Sequence, residues 1–188
     1  MVNKPIKTAL ILVDVINSFF DPGQPNYYKG VEDVLPAIRR LRAAARSSSA
    51  TVVHAVERHR PGFDDFEWRK LPIHHVDGAF DAGFFGEFAP DGDNETIVWK
   101  RRFSAFFATD LALFLTEQRI ERVVIAGVKT NVCIRATAQD AFANGFEPIV
   151  PREATNSNRP HLAEASLEDI HRYMGQVVST DEAIGMLS

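Results

Sequence analysis

RVVIAGVKTNVCIRATAQDAFANGFEPIV, Arg122–Val150, decides how the rest of the chain is read. It opens on a continuous apolar, β-branched run at 122–126 and breaks at Gly127. A helical pattern follows over 131–144, and a second strand-like run over 146–150. Apolar runs without polar alternation suit strands buried on both faces. Strand, helix, strand in this order is the unit of a parallel sheet with helices packed on it. The only cysteine, Cys133, stands where the first strand hands over to the helix. A lone thiol in that place is either a small buried hydrophobe or a nucleophile, and its partners decide which.

The same alternation extends outward. Strand-like runs recur at 8–13, 51–56, 96–99 and 176–179, and helical patterns at 31–46, 109–119 and 160–174. In the first of these helices Val34, Ile38, Leu41 and Ala45 fall on one stripe, the spacing of a buried helix face. Thr109 reads as an N-cap, with Asp110 in the first turn. The expected architecture is α/β: one domain over residues 1–188, three layers, and a mainly parallel sheet of about six strands, Rossmann-like. The region 57–95 departs from the pattern. It is rich in Pro, Gly, Asp and Phe, and four of the six histidines lie in or just before it. Long connections of this kind are usually functional.

The totals set bounds. At 188 residues the chain can bury a sizeable core, and 45% apolar with 24% charged residues is ordinary for a globular protein. A net charge of −4 supplies no basic footprint for nucleic acid. One cysteine makes neither an internal disulfide nor a Cys-rich zinc site, and a reducing, cytoplasmic setting is expected. The early apolar run is interrupted by Asp14 and is too short to span a membrane.

Ligands of open parallel sheets bind beyond the carboxyl ends of the strands. That rule gathers Asp14, Lys100 and the segment Lys129–Cys133 at one rim: a carboxylate, an ammonium and a thiol. A helix start favours an anion, so the thiol pKa is expected to be lowered there.

Three blocks carry a resemblance: "ALILVDVINSFF", "IVWKRRFSAFFATDL" and "VVIAGVKTNVCIRATAQDAFANGF". Order and spacing are similar to those of the isochorismatase-like cysteine hydrolases, which include nicotinamidases, N-carbamoylsarcosine amidohydrolases and ureide hydrolases. The resemblance implies a catalytic triad of Asp14, Lys100 and Cys133. It also implies an oxyanion hole from the backbone of Lys129 and Cys133, and a cis peptide between Val128 and Lys129. Departures are Ile16, where the family often has Gln, and Lys129, where it often has Ala. The expected activity is cleavage of a C–N bond in a small amide or ureido compound through a thioester, without a cofactor. The alternatives are a metal-containing nicotinamidase and a non-catalytic binding protein on the same fold. A homodimer or homotetramer is expected from the family, with the Phe85–Pro90 stretch, FGEFAP, offering apolar surface.

Nicotinamidases of this superfamily bind a divalent metal through Asp-x-His and later histidines. Glu57, His59 and His74 resemble parts of that set, with Asp64 or Asp65 as a further candidate. Many members keep such histidines structurally, and no metal is assigned. His54 reads as a core residue, and His161 and His171 as surface residues. Phe19, Arg60, Trp68 and Lys129 are the candidate substrate contacts. Phe63, Phe66 and Phe103 are further aromatics near the expected mouth.

Overall fold

Six parallel strands run in the order β3-β2-β1-β4-β5-β7, with a short seventh, β6, paired to β4. The strands are β1 (Thr8–Val13), β2 (Val52–Glu57), β3 (Glu95–Lys100), β4 (Arg122–Val128), β5 (Glu147–Pro151), β6 (Thr155–Asn156) and β7 (Gln176–Val178). This is a computed structural model, and it describes residues 6–187. The ends of the expected 1–188 unit lie outside those residues.

The strand order explains the position of the site. From β1 the chain moves outward through β2 to β3, then returns to place β4 against the other side of β1. The crevice beyond β1 and β4 is the topological switch point, where ligands of open α/β sheets bind. Register aligns the strand ends there: Val13 pairs with both Ala55 and Gly127, and Glu57 pairs with Lys100.

Alternate residues of each central strand feed opposite faces, because successive side chains of a strand point to opposite sides. Leu10, Leu12, Val52, Val124 and Ala126 join one core with α2 (Leu35–Ser47) and α6 (Thr180–Met186). Ala9, Ile11, Val53, Val123 and Ile125 join a second core with α3 (Leu111–Glu117), α4 (Arg135–Ala143) and α5 (Pro160–Tyr173). Three layers result. The helical stripe read from the sequence is buried at all four positions, with Val34 in the 3₁₀ turn before α2 and Ile38, Leu41 and Ala45 in α2 itself. Among the described residues, no helix is long and apolar enough to cross a membrane.

Some expectations shift. A four-residue helix, α1 (Asn17–Phe20), and the C-terminal α6 are additional elements. α3 begins at Leu111, so Asp110 precedes the helix rather than entering its first turn. The Thr109 hydroxyl still accepts the Leu111 N–H at 3.3 Å. The Phe85–Pro90 stretch turns inward: Phe88 is fully buried and Phe85 stacks on Phe20. Both aromatics pack against the first core.

Candidate active site

Asp14 follows β1 with a left-handed backbone, φ 54°. Aspartate enters that region more readily than most non-glycine residues. Its Oδ1 accepts the Glu57 N–H at 2.9 Å, which ties the end of β1 to the end of β2. The other carboxylate oxygen lies 2.8 Å from Lys100 Nζ, with both side chains fully buried. Lys100 ends β3, and its Nζ also reaches Cys133 Sγ at 3.7 Å and Glu57 Oε2 at 3.3 Å. Atoms of Asp14, Glu57 and Cys133 lie within 4.8 Å of one another. The three residues picked out by the strand-end rule therefore meet.

Cys133 sits in a π-type turn, Thr130–Ile134, that leads into α4. π turns inside or before helices are often found at functional sites. The peptide bond between Val128 and Lys129 is cis, as the resemblance implied. The approach of β4 to β1 needs glycine: a Cβ on Gly127 would stand 2.0 Å from the Val13 carbonyl oxygen, at φ 123°.

The electrostatics correct one expectation. Burial pushes the Cys133 thiol well above its usual range, and the Asp14 and Glu57 carboxylates add to this; the Lys100 ammonium opposes it without prevailing. The helix start does not lower this thiol, because desolvation of a thiolate outweighs it. Cys133 thus holds its proton at neutral pH. Burial alone would lower the Lys100 pKa, but Asp14, Cys133 and Glu57 surround the ammonium and raise it. It stays charged.

Cys133 opens onto a slot of about 410 Å³ whose walls include Phe19, Phe103, Glu57, His74 and Lys129. Of the candidate substrate contacts, Phe19 and Lys129 line it. Arg60 lines a neighbouring hollow with Arg58, Trp99 and Phe107. Trp68 packs on the His59 ring at 5.3 Å between centroids and is not among the slot's lining residues. Phe63 and Phe66 are exposed. A larger hollow of about 800 Å³ is lined by His161, Glu164 and Arg172 and contains none of the clustered residues. We place the chemistry at the slot, where the thiol is.

One wall of the slot is a cluster of acids and imidazoles. His59 Nε2 and His74 Nε2 each lie 3.0 Å from Glu57 Oε1. Glu67 Oε1 is 3.6 Å from His74 Nε2, and neither Glu67 oxygen has a hydrogen-bond partner. Burial lowers the His74 pKa, but Glu57 and Glu67 outweigh it and hold it up at about 10. Glu57 lies well below the carboxylate range: burial would raise it, but Lys100 and the histidines prevail.

Donor atoms of Glu57, His59, Glu67 and His74 converge within 4.8 Å, a set of two imidazoles and two carboxylates that fits a divalent transition metal. Asp65, the candidate from the sequence, serves differently. It faces His59 Nδ1 at 3.0 Å and is held by Arg101 and Arg102, which leaves Nε2 aimed at the cluster. Glu67 stands where Asp65 was expected. It is one of many acids in 57–95, and only the 3₁₀ turn Phe66–Arg69 brings it inward. His161 and His171 are exposed. His54 is buried as expected, but it is also paired, with Nε2 2.8 Å from Glu95 Oε2.

A buried thiol between a carboxylate and an ammonium, at the switch point of a parallel α/β sheet, is the arrangement of a cysteine hydrolase. Comparison with known proteins narrows the class. The isochorismatase domain matches residues 8–182. Maleamate amidohydrolase of Pseudomonas putida is 38% identical over 96% of this chain and 87% of its own length. N-carbamoylsarcosine amidase of Arthrobacter is 33% identical over 98% of this chain and 72% of its own. The crystal structure of an isochorismatase-like hydrolase from Alkaliphilus metalliredigens superposes with a TM-score of 0.86, at 33% identity, covering 99% of both chains. The chain belongs to the isochorismatase family, and it is a hydrolase acting on amide C–N bonds.

Proposed function

We propose that the protein hydrolyses a small linear amide or ureido compound, with Cys133 as nucleophile and a thioester intermediate. The observation that carries this reading is the buried contact of Cys133 Sγ with Lys100 Nζ, itself paired to Asp14. On substrate binding, Asp14 takes the thiol proton as the sulfur attacks the carbonyl carbon. The tetrahedral oxyanion is met by the backbone N–H groups of Lys129 and Cys133. Asp14 passes the proton to the departing nitrogen, the C–N bond breaks, and ammonia or an amine leaves. Water then adds to the thioester with Asp14 as base. This releases the acid and returns the proton to sulfur. Lys100 stays protonated throughout, and its fixed charge offsets the thiolate as it forms.

The names of the two relatives, an amidase and an amidohydrolase, support an amide substrate. A metal-containing nicotinamidase is the second reading, favoured by the unpartnered Glu67 carboxylate facing His74. Glu57, His59, Glu67 and His74 would then hold a divalent cation that polarises a substrate atom at the slot wall. An ammonia-release screen over amides, carbamoyl compounds and ureides tests the main reading, with Cys133→Ala as the blank. Release that persists in the blank overturns it. Metal analysis of the same preparation, with and without chelator, separates the two readings.

A further inference from the structure

Lys129 is a cation without a counter-ion. Its side chain is half-buried in the slot beside Cys133. Among the described residues it makes no ion pair and donates no side-chain hydrogen bond. Its Nζ instead rests over two aromatic faces, 5.6 Å from the Phe19 centroid and 5.2 Å from that of Tyr28. Aromatic faces attract a cation and position it, but they leave its N–H donors unsatisfied. Among the described residues no carboxylate pairs with it. The ionisable groups acting on Lys129 are Cys133, which keeps its proton in the free protein, and Arg159, a second cation. Arg159 is exposed, and among the described residues its side chain makes no ion pair or hydrogen bond. Burial lowers the Lys129 pKa. A partly desolvated ammonium is costly unless an anion meets it.

The acids in the same slot face other cationic or imidazole groups, not Lys129. Glu57 is bound by Lys100, His59 and His74, and Glu67 faces His74 and Arg102. The slot is therefore polarised, with a neutralised acid–imidazole wall on one side and a free ammonium on the other. A cavity of about 410 Å³ admits only a small molecule.

We infer that Lys129 is the anion anchor of the slot and that the substrate is a short amido acid, its carboxylate on the Lys129 ammonium and its amide carbon at Cys133 Sγ. The inference takes only the position of the scissile amide from the hydrolase reading. Carboxylate recognition by Lys129 stands on its own geometry. The lysine's backbone belongs to the turn before the thiol while its side chain reaches the far group, so one residue sets the distance from carboxylate to reacting carbon.

The test uses malonamate, succinamate and glutaramate, each against its neutral diamide. Binding to the full-length Cys133→Ala protein is measured by calorimetry. In active protein the readout is the ratio of kcat/KM for acid over diamide within each variant. The expected result is a preference of about 10- to 100-fold for at least one acid, since a charge-assisted hydrogen bond contributes about 1.5–3 kcal/mol and each 1.4 kcal/mol is tenfold. Lys129→Met, which keeps an apolar side chain of similar length without the charge, should collapse that ratio toward one, and Lys129→Arg should retain most of it. Thermal melts verify that both variants fold.

No preference across the series, or a preference that survives in folded Lys129→Met, overturns the inference. Lys129-dependent binding of the acids without hydrolysis of any amide would support the anchor and count against the hydrolase reading. Thiol-dependent hydrolysis with no acid preference would do the reverse.

Discussion

Lys100 Nζ lies 2.8 Å from Asp14 Oδ2, and neither side chain reaches solvent. A buried pair of this kind contributes little net stability, but breaking it is costly because the remaining charge stays desolvated. Lys100→Met should destabilise the protein by about 3–5 kcal/mol in urea unfolding. The Asp14→Asn/Lys100→Met double variant should lose less than the two single losses added together. Strict additivity would mean the pair does not interact.

The proton on Cys133 gives a second expectation. Burial, Asp14 and Glu57 raise the thiol, so alkylation by iodoacetamide near neutral pH should be slower than for an exposed cysteine, and it should accelerate as pH rises past 9. Rapid modification at pH 7 would show that the thiolate is populated in the free protein. Cys133→Ala removes only one small group and should leave the melting temperature nearly unchanged. Turnover should fall by several orders of magnitude, as expected for loss of a covalent nucleophile.

Asp14 as proton carrier predicts a specific change in the pH profile. In Asp14→Asn the amide cannot accept the thiol proton, so the acidic limb of kcat/KM should disappear along with most of the rate, by about 10²–10⁴-fold. An acidic limb of unchanged midpoint would assign the titration to another group.

Much of this was legible in the sequence. Continuous β-branched runs marked the central strands, because a strand covered on both faces has no reason to alternate, whereas the edge strand β3 exposes Ile97 and Trp99. The strand-end rule then brought Asp14, Lys100 and Cys133 together across large sequence separations. What escaped notice depends on contacts made at a distance. β6 is two residues long and exists because Thr155 and Asn156 pair with Gly127 and Val128. Glu67 reaches the slot only through the folding of its 3₁₀ turn. α6 had a local signal, the Ser179–Glu182 capping box, which the structure forms in full.

Gly127 offers a backbone test of the site. With φ at 123° and a Cβ that would fall 2.0 Å from the Val13 carbonyl oxygen, Gly127→Ala must push β4 from β1 at the residue before the Val128–Lys129 turn. The variant should be destabilised by more than about 3 kcal/mol, beyond the range of ordinary single substitutions. A melting temperature within a degree or two of wild type would show that the strands part easily.

The acid limit of stability should be shaped by a group far from the thiol. Glu95, at the start of β3, has a fully buried side chain that accepts from Arg42 at 2.7 Å and Arg46 at 2.7 Å and faces His54 at 2.8 Å. Burial would raise its pKa, but Arg42, Arg46 and His54 prevail and hold it down at about 2. A carboxyl whose folded pKa is depressed stabilises the fold above its unfolded value, near 4.5, and that contribution is lost as pH falls toward about 2. Wild type should therefore lose stability between about pH 4.5 and 2. Glu95→Gln should be less stable at neutral pH, because Arg42 stays buried without its acid partner, and its stability should vary less with pH across that window. Urea midpoints at pH 7, 5, 4 and 3 for both proteins decide it. Parallel curves would mean that other carboxylates set the acid limit and that Glu95 is protonated at the same pH folded as unfolded.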